Sequence, residues 1–238
     1  MGEKISCSAV VLAAGSGRRM NSDVKKQYML IHEKPVIYYS LKTFQESFVD
    51  EIVLVVSQGD IEYCKKEIVE KYGFSKVKYI VEGGRERYHS VAAGLKCLSS
   101  DGVIFIHDGA RPMITEDILE RALECVKECE ACVVGMPVKD TIKIADANQY
   151  IDRTPNRNLV WMVQTPQVFD AGLIKEAYEE LLVKEQQLLG QGISVTDDAM
   201  VVETLTGKKV KLVEGTYENI KITTPEDIRL AECFMSDF

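Results

Sequence analysis

The sequence predicts an α/β fold: a doubly wound, mostly parallel sheet with helices on both faces and one inserted β-hairpin. Three observations carry this. Short apolar runs recur without polar alternation, as strands covered on both faces require. Amphipathic stretches with helical spacing separate them in a regular β–α alternation. One segment, residues 138–157, breaks that rhythm with a period of two.

The first strand is read at Ser8-Ala9-Val10-Val11-Leu12-Ala13-Ala14, bounded by Gly15. Residues 35–44 space their apolar side chains as a helix, with Pro35 in the first turn, where a missing N–H costs nothing. A second buried strand spans 51–56, a charged amphipathic helix 61–71 and a third strand 77–81. A helix over 90–98, a strand over 102–106, a helix over 115–128 and a fifth strand over 131–136 follow. In the hairpin, Thr141, Lys143 and Ala145 alternate with Ile142 and Ile144. The chain turns around Asp146-Ala147-Asn148 and returns through Tyr150-Ile151. Helices over 171–185 and 197–205, a strand over 209–213, the segment Asn219-Ile220-Lys221-Ile222 and a last helix from Pro225 complete the order. No linker rich in Pro, Gly or Ser divides the chain, so a single domain over 1–238 is expected, with 138–157 as an arm.

Composition narrows the function classes. With 238 residues and 46% hydrophobic content, the chain can bury a full α/β core. It carries 29 basic and 37 acidic residues, a net charge of −8, which argues against nucleic acid or an anionic membrane as the main partner. The 7 cysteines are scattered and odd in number, and fit reduced thiols in a cytoplasmic protein. Cys129-Glu130-Ala131-Cys132 is formally a C-x-x-C, but no second pair or histidine cluster completes a metal site. The first apolar run is too short for a secretory signal and its charges follow rather than precede it; no stretch is long enough to span a membrane.

In doubly wound folds, ligands sit beyond the carboxyl ends of the strands. After the first strand come Gly15, Gly17, Arg18 and Arg19, with Lys25 and Lys26 close behind; after the third come Gly83, Gly84, Arg85 and Arg87. His107, Asp108 and Arg111 follow the fourth, Lys139, Asp140 and Thr141 the fifth, and Lys221 lies near the end. A net-acidic chain that aims cations at one rim expects a small polyanion, and small residues at a strand end let backbone N–H groups approach a phosphate chain. Gly15-Ser16-Gly17-Arg18-Arg19-Met20 begins like a dinucleotide fingerprint. However, Met20 replaces its third glycine, and Ser57-Gln58 stands where an acidic residue would end the second strand. A Walker A loop is absent. A carboxylate among cations, as at Asp108, is either an ion-pair partner or a holder of Mg²⁺ on phosphate oxygens.

These residues, taken together, resemble the bacterial 2-C-methyl-D-erythritol 4-phosphate cytidylyltransferases, Rossmann-like nucleotidyltransferases of isoprenoid precursor synthesis. The resemblance runs nearly end to end. It covers Ala13 to Met20, Lys26-Gln27-Tyr28, Gly83-Gly84 with Arg87 and Ser90-Val91, His107 to Pro112, and Pro137 to Thr141. It continues through Thr154-Pro155-Asn156-Arg157, Gln164-Thr165-Pro166-Gln167, Thr196-Asp197-Asp198 and Asn219 to Asp227. Lys25, Gly109 and His89 depart from the family's usual proline, alanine and acidic residue at those positions.

The resemblance implies transfer of a cytidylyl group from CTP to 2-C-methyl-D-erythritol 4-phosphate with Mg²⁺. It implies that Arg19, Lys26 and Lys221 are the catalytic cations, and that Ala13, Ala14, Gly15, Ser16, Gly17, Gly84, Arg87 and Ser90 hold the nucleotide. Asp108, Arg111, Thr141, Arg157, Thr165 and Thr196 would hold the acceptor, with Asp108 the metal ligand. It further implies a homodimer in which the arm reaches the partner's site. Ribitol 5-phosphate cytidylyltransferase shares the glycine loop and the lysine strand and is the nearest alternative; a non-catalytic nucleotide-binding regulator is another. The double alanine before Gly15 and the Thr-Pro-x-Arg block at 154–157 favour methylerythritol phosphate, and Arg19, Lys26, Asp108 and Lys221 together favour catalysis.

Overall fold

The computed structural model describes residues 5–15 and 24–235. The chain enters through β1 (Cys7–Ala13), forms a small hairpin from β2 (Leu30–Ile31) and β3 (Lys34–Pro35), and continues through α1 (Val36–Glu46) to β4 (Glu51–Val56). α2 (Ile61–Tyr63) passes into a π-helical stretch (Cys64–Glu70) before β5 (Val77–Glu82). Then come α3 (Arg87–Leu95), β6 (Val103–Asp108), α4 (Glu116–Cys129) and β7 (Ala131–Pro137). The arm carries β8 (Ile144–Ala145) and β9 (Ile151–Arg153). β10 (Trp161–Asp170), α5 (Ala171–Gly190), α6 (Asp198–Thr206), β11 (Lys211–Glu214) and α7 (Pro225–Met235) follow.

The central sheet has 7 strands in the order β11-β7-β10-β6-β1-β4-β5. Every pairing in it is parallel except those of β10, which runs antiparallel to both β6 and β7. The predicted fold class therefore holds. Alternate side chains of β1 face opposite layers: Ala9 and Val11 pack with Leu41 and Phe44 of α1 and Ile118 and Ala122 of α4, while Val10 packs with Val91 of α3 and Ile174 of α5. Two covered faces explain why the strands read as unbroken apolar runs.

The structure corrects four sequence expectations. β10 lies in the middle of the sheet, where no strand was predicted. Its Gln164-Thr165-Pro166-Gln167 is polar and holds a proline, which argues against a central strand. The pairing with β7 shifts register between Val163 and Gln167, so Pro166 falls where no ladder bond is demanded of it. Pro35 caps α1 from outside the helix rather than starting it, because it pairs with Leu30 in the β2–β3 hairpin. α3 begins at Arg87, three residues earlier than expected, held by a capping box between Glu86 and His89. Residues 219–222 form no strand; they are pinned instead by buried Asn219 and Ile222.

Candidate active site

The sheet reverses direction beside β1. From β1 the chain moves outward to β4 and β5, then returns through α3 to β6 on the other side of β1. The carboxyl ends of β1 and β6 thus flank the switch point at which doubly wound sheets open a crevice. A cleft of about 400 Å³ opens there, bordered by Ala13, Ala14, Gly15, Lys26, Gly84, Arg87 and Ser90. A second cleft of about 260 Å³ adjoins it, bordered by Arg111, Thr165, Thr196 and Asp197. Both share Arg87, Asp108 and Lys221, so the two clefts meet at one charged junction.

Asp108 is the centre of that junction. Its Oδ2 lies 2.7 Å from Lys221 Nζ and 3.9 Å from Arg111 Nε, and its Oδ1 lies 3.6 Å from Arg87 Nε. Burial alone would raise the carboxyl's pKa, but Arg87, Lys221 and Arg111 outweigh it and hold the group far below the ordinary carboxylate range. Arg87 is itself fixed from behind. Its Nη1 and Nη2 each donate at 2.7 Å to the two oxygens of Asp198, which is fully buried and also accepts from Tyr178 Oη. Arg111 donates from Nη1 to the carbonyl of Asn219 at 2.8 Å. Burial lowers the pKa of its guanidinium, against the pull of Asp108.

A buried relay sets the backbone under Asp108. Its N–H donates to Thr165 Oγ1 at 3.0 Å, and that hydroxyl is also 3.0 Å from His107 Nδ1. The other ring nitrogen, Nε2, lies 3.2 Å from the carbonyl of Arg111, which can only accept. Nε2 must therefore carry the proton, and Nδ1 accepts from the Thr165 hydroxyl. His107 is fully buried, and desolvation pushes its pKa down to about 4. Thr165 thus borders the second cleft with its hydroxyl already committed to the β6 end.

Lys221 is held by its neighbours rather than by an element of its own. Asn219 Nδ2 donates to Gln164 Oε1 and to the carbonyl of Thr165, and Ile222 N–H donates to the carbonyl of Ala110. Ile222 is buried in a small cluster with Ile31, Val36 and Ala231, which joins the β2–β3 hairpin to α7.

At the rim of the first cleft, Gly83 and Gly84 pass so close to their neighbours that only glycine fits. A Cβ on Gly83 would lie 2.4 Å from that of Ala14, and one on Gly84 2.4 Å from that of His89. Gly84 N–H donates to Ser90 Oγ, which donates in turn to the carbonyl of Glu86, so Ser90 shapes the loop from within.

The three departures from the family pattern each have a local partner. Lys25 pairs with Asp60 at 2.6 Å. A methyl on Gly109 would meet Ile37 Cδ1 at 2.2 Å, so this chain packs an isoleucine where an alanine at 109 would need space. His89 closes the capping box through Nδ1 and faces Glu185 through Nε2.

Of the sequence-expected residues, Ser16, Gly17 and Arg19 lie outside the described residues. Ala13, Ala14, Gly15, Gly84, Arg87, Ser90, Lys26, Asp108, Arg111, Thr165, Thr196 and Lys221 border the paired clefts. Thr141 and Arg157 do not: they lie on the arm, exposed, with Arg157 donating to the carbonyl of Lys139. Sequence reasoning missed the roles of Asp198 and Tyr178; the available signal was two adjacent acids at a helix start, the second falling on its buried face. Among the described residues no cluster of three or more His, Cys, Asp or Glu could hold a metal ion, and no helix is long and apolar enough to cross a membrane.

With this geometry in place, comparison with known proteins is direct. A family profile described as 2-C-methyl-D-erythritol 4-phosphate cytidylyltransferase matches residues 7–237. A protein of that name from Lachnospira eligens is 53% identical over 229 residues, covering 96% of this chain and 98% of the relative. Another, from Lachnoclostridium phytofermentans, is 48% identical over 235 residues, covering 99% and 97%. The crystal structure of 4-diphosphocytidyl-2C-methyl-D-erythritol synthase from Anaerococcus prevotii overlays with a TM-score of 0.83 at 36% identity, covering 98% of this chain and 99% of that one. That of the Francisella tularensis 2-C-methyl-D-erythritol 4-phosphate cytidylyltransferase gives 0.78 at 26% identity, covering 96% and 99%.

Proposed function

The chain belongs to the 2-C-methyl-D-erythritol 4-phosphate cytidylyltransferase family, and from that premise we propose how its two clefts divide the work. The enzyme transfers a cytidylyl group from CTP to 2-C-methyl-D-erythritol 4-phosphate, giving 4-diphosphocytidyl-2-C-methyl-D-erythritol and pyrophosphate, in isoprenoid precursor synthesis. In our reading the larger cleft takes CTP and the smaller takes methylerythritol phosphate. The observation that supports it is the shared junction: a phosphate oxygen entering from one cleft and an α-phosphate from the other meet at Asp108, Arg87 and Lys221.

The acceptor's phosphate oxygen attacks the α-phosphorus in line; the bond to the β-phosphate oxygen breaks and its electron pair leaves with pyrophosphate. No covalent enzyme intermediate is needed, so rate enhancement rests on positioning and on cations preorganised where charge builds up. Arg19 and Lys26 neutralise the triphosphate, with backbone N–H groups of residues 14–17 cradling it. Lys221, held at the junction by Asp108, exchanges part of that contact for an α-phosphate oxygen. Gly84, Arg87 and Ser90 border base and ribose. Asp108, Arg111, Thr165 and Thr196 shape the acceptor side.

Asp108 fits Mg²⁺ as its one protein carboxylate: among the described residues it alone of the carboxylates borders both clefts, and Mg²⁺ commonly combines one or two carboxylates with substrate phosphate oxygens. Bound there, the ion would neutralise phosphate charge and orient the α-phosphate.

Thr141 and Arg157 complete the acceptor site of a second subunit in a two-fold homodimer. The arm supports this because Tyr150 is 74% and Ile151 64% exposed on a ribbon too short to be stable by itself. The free thiols support a reducing compartment such as the cytoplasm.

Pyrophosphate release measured across alcohol phosphates and nucleotides tests the substrate reading. Turnover with CTP and methylerythritol phosphate, and little with ribitol 5-phosphate, is expected. Preference for ribitol 5-phosphate would overturn it, and CTP binding without turnover of either would leave a regulator.

A further inference from the structure

Lys26 sits on a single 3₁₀ turn, Lys26–Tyr28. One such turn has little stability of its own, because it fixes several dihedrals for very few hydrogen bonds. Its internal bonds are Tyr28 N–H to the carbonyl of Lys25 and Met29 N–H to that of Lys26. A lysine meant to meet a developing charge must nevertheless be placed closely, since displacement of a catalytic group by about 1 Å can cost about a hundredfold in rate. The turn is therefore expected to be tied down by something outside it.

Three polar ties from Gln27, Lys25 and Tyr28 bear on its placement, beside the contacts of Tyr28 with Cys64 Sγ and the Tyr63 ring. Gln27, buried, donates from Nε2 to the carbonyl of Ala13 at 2.6 Å and fastens the turn to the end of β1. The other two converge on one atom. Lys25 Nζ lies 2.6 Å from Asp60 Oδ2, and Tyr28 Oη donates to the same oxygen at 2.9 Å. Asp60 is well placed to be a fixed point. It follows β4 and precedes α2, its N–H donates to the carbonyl of Ser57, its own carbonyl accepts from Cys64 N–H where α2 passes into the π-helical stretch, and its side chain is only 17% exposed. The residues on both sides of the Lys26–Gln27 pair are thus held by a carboxylate that borders neither cleft.

We infer that Asp60 is a positioning residue for catalysis: through Lys25 and Tyr28 it fixes the turn that presents Lys26 to the nucleotide cleft. The inference rests on the reading of Lys26 as a cation on the triphosphate. It also explains what a lysine does at position 25. Lys25 has φ −62°, the value a proline ring fixes covalently, with an extended ψ of 138°. Lys25 reaches the same backbone conformation through an ion pair, and so depends on Asp60.

The test is a double-mutant cycle read as kcat and KM for CTP, with thermal stability measured in parallel. Asp60→Ala should lower kcat about tenfold. In the Lys26→Ala background the same change should cost little, because the side chain it positions is gone. Asp60→Asn and Tyr28→Phe keep the local packing and should give smaller losses of the same kind, which covers the case in which Asp60→Ala does not fold. Adding Lys25→Pro to Asp60→Ala should recover much of the lost kcat by fixing φ covalently. A wild-type kcat in Asp60→Ala, or a loss carried undiminished into the Lys26→Ala background, overturns the assignment. If Lys26→Ala itself turns over normally, the reading of Lys26 fails first and the two failures are distinguished.

Discussion

His107 makes a quantitative prediction about stability against pH. The perturbation is His107→Asn, compared with wild type from pH 7 to pH 4. In the folded chain the imidazole is fully buried and neutral, and its pKa is pushed down to about 4 against an ordinary value of 6.5. Above pH 6.5 neither state protonates it and the group contributes no pH dependence. Between 6.5 and 4 the unfolded chain binds a proton that the native chain refuses, so stability falls as pH falls. The gap corresponds to about 3 kcal/mol over that window, at 1.36 kcal/mol per pKa unit. The mutant lowers stability at every pH by disturbing the Thr165 relay, so only the difference in slope is diagnostic. Urea unfolding at half-unit pH steps measures it. Wild type should lose about 3 kcal/mol more than the mutant between pH 7 and 4. Asp108, with its depressed pKa, contributes only below this window, where its stabilisation is lost as pH falls from about 4. Parallel curves for the two proteins would refute the buried neutral histidine.

Other outcomes follow from the same contacts. Asp198→Asn removes the charge and one acceptor oxygen from a buried bidentate pair and leaves Asp108, at 3.6 Å, as the remaining carboxylate beside Arg87; a loss of about 3 kcal/mol is expected, lowering Tm by about 6–12 °C in calorimetry. A Tm within a degree of wild type would contradict it. Asp108→Asn should weaken the Mg²⁺ dependence of turnover, since an amide is a poorer ligand for a hard cation; an unchanged activity curve would make Asp108 an ion-pair partner alone. Refolding Lys26→Ala and Arg157→Ala together should restore about a quarter of wild-type activity if arms are exchanged, because about half the dimers are mixed and each has one intact site. An inactive mixture of confirmed dimers would rule the exchange out.

The fold was legible wherever strands are covered on both faces: β1, β4, β6 and β7 read as unbroken apolar runs for that reason. β10 was not, because its bulge tolerates a proline and polar residues that a regular central strand would reject. The β2–β3 hairpin was hidden as well, since its turn places His32 and Glu33 at positive φ without the usual glycine or asparagine. At the site, position after a strand end was enough to find Asp108, Arg87 and Lys26. It could not find Asp198 and Tyr178, which act from helices behind the clefts, or Asp60, which acts from the loop before α2; all three reveal themselves only through contacts between residues apart in sequence, such as Arg87 with Asp198. Thr141 and Arg157 stood out as motif residues, yet a single chain leaves them on the arm.

The most direct test of the cation-centred site is the turnover of Lys26→Ala and Lys221→Ala in the pyrophosphate-release assay, with Tm measured on the same preparations. Removing one preorganised donor to a developing oxyanion costs about 10²–10³ in kcat, and neither side chain is part of the apolar core. Both variants should therefore lose about that factor in kcat; the Tm of Lys26→Ala should stay near wild type, while that of Lys221→Ala falls as well, because the buried Asp108 carboxylate loses its 2.7 Å partner. Turnover within a few-fold of wild type in either variant would contradict the role assigned to it.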